Sequence, residues 1–156
     1  MSIPIRHRAE AIRARLVGDG FVRIYQDDLT VWHQTRFQWS RFGMVDTSVV
    51  MIRSDGPFDR WHVSQGLRTA HRAVRSARLT RRFRMREVAV IFLTEAESPE
   101  AVVAVSKTRP GTRLHVPALV HGVRSEVVLP RRAGYLDNPG QVAFNAVVRR
   151  LAHWIG

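Results

Sequence analysis

The 156 residues, 45% of them hydrophobic, suffice for one sizeable core and carry no boundary signal for a second, so a single domain spanning 1–156 is expected. The chain has no cysteine, which excludes disulfides, thiolate catalysis and Cys-based zinc sites. Lys and Arg number 25 against 13 Asp and Glu, and the resulting formal charge of +12 favours an acidic partner such as nucleic acid or an anionic surface.

Lys107 is the only lysine, and GC-rich coding would account for arginine replacing lysine elsewhere. It would not account for the shortage of acids. The excess of charge is therefore informative, whereas the identity of the base is not. The N-terminal residues lack an apolar core followed by a small-residue cleavage site, and no run reaches membrane-span length, so a soluble cytoplasmic protein is expected.

Ile5, Ala9, Ile12 and Leu16 recur at helical spacing after Pro4, and Gly18 and Gly20 stop the pattern, with Arg6, Arg8, Arg13 and Arg15 on the outer face. Phe21 to Tyr25 and Leu29 to Thr35 are β-rich runs around Gln26-Asp27-Asp28, the pattern of a hairpin. Phe37, Trp39 and Phe42 alternate with Arg36 and Arg41 before Gly43. Interleaved Arg and aromatic residues can stack nucleobases, but rings so placed more commonly fill a core or line a sheet edge. Asp46 to Arg53 reads as a third strand, and Ser54-Asp55-Gly56-Pro57 as a break.

Phe58 to Glu95 is the stretch around which the chain is organised. In its helical half Val63, Leu67, Ala70, Val74 and Ala77 fall on one side, with Arg68, Arg72, Arg75 and, if the helix continues, Arg82 roughly opposite. Val88 to Leu93 is apolar without alternation, as in a strand covered on both faces. Ser98-Pro99-Glu100 then opens a short helix to about Lys107. Thr112 to His121 and Ser125 to Leu129 read as strands around Gly122, with Pro117 favouring an edge or bulge. Asn138-Pro139-x-Gln141 opens the last helix, whose inward face is Ala143, Val147, Leu151 and Trp154. The expected fold class is α/β: a mixed sheet of about six strands flanked by four helices.

The motifs of common chemistries are missing. Of the seven histidines, His33, His62 and His71 have no short-spaced companion, and His115 and His121 stand too far apart on an extended strand to grip one ion, so neutral core or surface histidines are expected and no metal. Ser64, Ser76, Ser106 and Ser125 lack a nucleophile-elbow setting, and no glycine-rich phosphate loop occurs, so no cofactor is expected. A helix followed by a three-strand meander is compatible with a restriction-endonuclease-type nuclease. Glu-x-Lys is absent from the third strand, however, and Asp46 and Asp55 flank it where strand-end and turn residues commonly sit.

The remaining signal is the basic run that includes Arg68, Arg72, Arg75, Arg78, Arg82 and Arg86, which would engage a phosphate backbone and has no recognisable base-reading module. A merely solvated face is the competing explanation. The leading function is a non-enzymatic basic protein binding nucleic acid without strong sequence preference. An interaction or scaffold subunit with an acidic protein partner, and a divergent or inactive nuclease-like hydrolase, are the alternatives.

Phe37-x-Trp39-x-x-Phe42, Asp46-x-x-Val49, the strand Val88 to Thr94, and Val116-Pro117-Ala118-Leu119-Val120 before a terminal helix resemble a prokaryotic α/β family, some of whose members carry the label levansucrase regulator. That family tends to have Pro-Arg-Gly-Leu-Gln before its central strand, where this chain has Arg82-Phe83-Arg84-Met85-Arg86. The resemblance implies a shared fold and transfers no active-site residue.

Overall fold

A computed structural model of the protein describes residues 4–26, 29–77, 85–96, 98–111, 113–122, 126–132, 134 and 139–156. Its elements are α1 (Ile5–Gly18), β1 (Val22–Gln26), β2 (Leu29–Gln38), a 3-10 turn (Trp39–Arg41), β3 (Gly43–Ser54), α2 (Arg60–Ser76), β4 (Met85–Thr94), α3 (Pro99–Ser106), β5 (His115–His121), β6 (Val127–Val128) and α4 (Pro139–Ile155). The fold is α/β, with one six-stranded mixed sheet and four helices.

Strand order follows chain order. β1, β2 and β3 form an antiparallel meander, α2 and α3 carry the chain across to β4 and β5 in parallel, and β6 returns antiparallel. α1 and α4 pack on one face over Trp32, Val49, Ala89, Ile91 and Leu93. α2 and α3 pack on the other over Val31, Val50, Val88, Val90 and Phe92. β4 thus supplies successive residues to two cores, which is why its sequence is apolar without alternation.

α2 begins with a reciprocal cap. Asp59 Oδ1 accepts from the backbone N–H of His62 at 3.1 Å, and His62 Nδ1 accepts from the N–H of Asp59 at 3.2 Å, so a histidine fills the place that Glu or Gln usually takes. Farther along, Gly66 lets the helix settle onto β4: a Cβ there would stand 2.2 Å from Cε1 of Phe92.

Several expectations are corrected or bounded. The helix ends at Ser76, with Ala77 as its cap, and Arg78 and Arg82 lie outside the described residues, as do Asp27, Asp28 and Asn138. The third strand starts at Gly43, so Asp46 is a buried mid-strand residue and not a strand-end one. Pro117 pairs with Val90 of β4, and among the described residues the short β6 pairs only with Leu119 and Val120, so the other side of the strand is open at Pro117, an edge position as its sequence favoured.

Candidate nucleic-acid interface

α2 buries Val63, Gly66, Ala70, Ala73 and Val74, and at 100° per residue Arg68, Arg72 and Arg75 fall opposite that stripe, all exposed. No acidic residue occurs between Arg60 and Ser76, so none of the three guanidiniums has a carboxylate one turn away within the helix. This face is cationic from Arg68 to the C-terminal end of the helix.

Because α2 runs antiparallel to the strands it connects, its C-terminal end comes back to the start of β4 and β5. There the rings of His71 and His115 pack with centroids 4.8 Å apart, and Nη1 of Arg113 stands 3.3 Å from Nε2 of His71. Burial lowers the pKa of His71, and the charges of Arg113, Arg75 and Arg86 lower it further. His115 is pushed down to about 4, by burial first and then by His71 and Arg113. Both imidazoles are therefore neutral at neutral pH, and three guanidiniums, from α2, from β4 and from the segment just before β5, share one region. Arg86, on β4, thus joins the α2 arginines.

At the same end of the sheet lies the β2–β3 connection. The rings expected to fill a core or sheet edge face solvent instead: Trp39 is 78% exposed and Phe42 85%, with Phe37 also exposed. Phe37 meets Trp39 edge to face, centroids 5.0 Å apart. Phe42 adopts the left-handed conformation, φ 47 and ψ 42, a backbone state unfavourable for a bulky side chain. Met85 closes the gap to β4, its Cε set 3.2 Å from where a Cβ on Gly43 would lie.

Arg41, within the same turn, points the other way. Its Nη1 lies 3.4 Å from Oε2 of Glu87, whose side chain is wholly buried on the α1/α4 face. Arg150 of α4 contacts Oε1 of the same carboxylate, and Thr47 Oγ1 donates to Oε1 at 2.6 Å. Burial lowers the pKa of Arg41; Glu87 opposes that shift and Arg150 adds to it. Arg41 is accordingly a structural cation, unlike Arg36, which is exposed.

Among the described residues the acids do not converge for two-metal chemistry. Asp46 pairs in register with Arg86, and Glu87 with Thr47, so these two carboxylates on neighbouring strands point to opposite faces. Asp46 Oδ1 accepts from Thr35 Oγ1 at 2.6 Å and lies 3.9 Å from Nε2 of His33, while Nδ1 of His33 is 3.3 Å from Ser48 Oγ. This is the residue set of a serine hydrolase, but Ser48 is 2% exposed, and a nucleophile must be reached by its substrate. Among the described residues no group of three or more His, Asp or Glu could hold a metal ion.

Of the arginines singled out in sequence, Arg68, Arg72, Arg75 and Arg86 are brought to one side of the molecule, and Arg78 and Arg82 are outside the described residues. Sequence reasoning missed Arg113, His71 and His115, whose association depends on the β4–β5 register. Comparison with protein-family models and with curated proteins finds no match for this chain.

Proposed function

We propose that this chain is a non-enzymatic basic protein that binds nucleic acid without strong sequence preference, through Arg68, Arg72, Arg75 and Arg86. The observation that carries this reading is the acid-free arginine face of α2 continuing into the region where Arg75, Arg86 and Arg113 all act on His71. Several guanidiniums on one surface can contact successive phosphates and release the counterions condensed there. Among the described residues no helix is offered to a groove by a recognisable reading motif, which fits backbone binding over base reading. Among the described residues no helix is long and apolar enough to cross a membrane, and we place the protein in the cytoplasm. The resemblance to the levansucrase-regulator family adds no residue to this assignment.

The test is the salt dependence of binding to DNA and RNA. Affinity should fall linearly on a log–log plot, each phosphate contact adding about 0.7 to 0.9 to the slope. An acidic protein partner becomes the leading assignment if neither nucleic acid binds at low salt.

A further inference from the structure

We infer that the exposed turn between β2 and β3 is a base-stacking platform, so that the nucleic acid this protein takes is single-stranded. The inference rests on the nucleic-acid reading above and adds the class of ligand. Trp39 and Phe42 expose nearly their whole side chains, and Phe37 is set edge-on against Trp39. Exposing large rings is unfavourable in water, and Phe42 adds a left-handed backbone to that cost. A stacked base recovers the exposed area; bases in a duplex are already stacked on each other and present only their edges.

The surroundings select a nucleic-acid strand over a lipid surface. Phe37 pairs in register with Met44 and Arg86 with Asp46, alternate residues of β3 that share the face covered by α2, and Arg86 lies near Arg75 and Arg113 beside His71. Rings at one end and guanidiniums leading away along a helix match a strand that alternates flat bases with phosphates. Arg41, inside the turn, is anchored on buried Glu87, so the rings project from a fixed mount. An interfacial membrane helix would instead carry its rings along one apolar stripe; here α2's stripe is buried in the core.

Trp61 supplies an internal control. It is also exposed, but it stands in the first turn of α2, at the opposite end of the sheet from the β2–β3 turn. Trp39→Ala, Phe42→Ala and Trp61→Ala should each be titrated with an oligothymidine strand, with a duplex of equal length, and with vesicles of phosphatidylserine and phosphatidylcholine. Loss of either Trp39 or Phe42 should weaken single-strand binding about 5- to 150-fold and duplex binding less than about twofold, and loss of Trp61 should change neither. Against a variant failing to fold, quenching of Trp39 emission by the oligonucleotide in a Trp61→Phe background, where the other two tryptophans, Trp32 and Trp154, are buried, reads the same contact without truncating it. If wild type binds the strand and the Trp39 and Phe42 variants bind it equally well, the platform is overturned and the arginine-face reading stands. If wild type binds neither nucleic acid, that reading fails and the platform with it; binding to vesicles alone would make this end a lipid-facing surface and overturn both.

Discussion

Arg41 and Glu87 stand on opposite sides of the boundary between surface and core: the guanidinium reaches in from an exposed turn and comes within 3.4 Å of a carboxylate that no solvent touches. The contact fastens the turn that carries Trp39 and Phe42 to the centre of the sheet. Glu87 also holds Arg150 of α4, so one buried acid ties the β2–β3 turn to the C-terminal helix.

Removing that acid leaves two cations without their counter-charge. Glu87→Ala should therefore lower stability by about 3 to 5 kcal/mol in urea unfolding, the cost of stripping one partner from a buried pair. A loss below about 1 kcal/mol would show that the cluster is not coupled to folding.

Gly66 tests the packing of α2 on β4. Alanine is the better helix former by up to about 1 kcal/mol, yet its Cβ would lie 2.2 Å from one carbon of the Phe92 ring and 2.7 Å from another. Overpacking of a buried ring costs about 1 to 3 kcal/mol, so Gly66→Ala should destabilise despite its propensity. A raised melting temperature would mean that the helix can lift from the sheet without penalty.

These relationships were unequally legible in the sequence. The two-sided burial of Val88 to Leu93 and the arginine stripe of α2 are local patterns, set by one strand's environment and one helix's period, and both were readable. The partnership of Thr47 with Glu87 depends on a parallel register between residues 40 positions apart, which no local pattern encodes. Asp46 looked like a strand-end residue because the third strand was read from Asp46, after the aromatic cluster and Gly43, although β3 already begins at Gly43. The rings of Phe37, Trp39 and Phe42 were read toward a core or a sheet edge because apolar composition signals burial; their outward direction follows from the left-handed residue at Phe42 and the inward pull on Arg41.

His115 predicts a pH dependence of stability. Its folded pKa, about 4, lies below the ordinary imidazole value of 6.5, so the unfolded chain takes up the proton first as pH falls. Stability is full above pH 6.5, declines as acid is added and levels off, for this group, near pH 4. His71, Arg113, Arg75 and Arg86 all bear on this pair and disfavour a further charge. His115→Gln should flatten the decline between those limits in thermal unfolding at a series of pH values. An unchanged profile would assign the acid limb to other groups.

The central claim is that the arginine face of α2 is a dedicated phosphate-binding surface, and the slope of log affinity against log salt tests it most directly. Arg68, Arg72 and Arg75 changed together to Gln should reduce the magnitude of that slope by about 2 to 3, with little loss of stability because exposed charges contribute little to folding. The comparison is Arg6, Arg13 and Arg149 changed to Gln, three charges that are also exposed, on α1 and α4 across the sheet. That second triple variant should leave the slope nearly unchanged. Equal flattening by both would reduce the binding to general cationic attraction and contradict a site on α2.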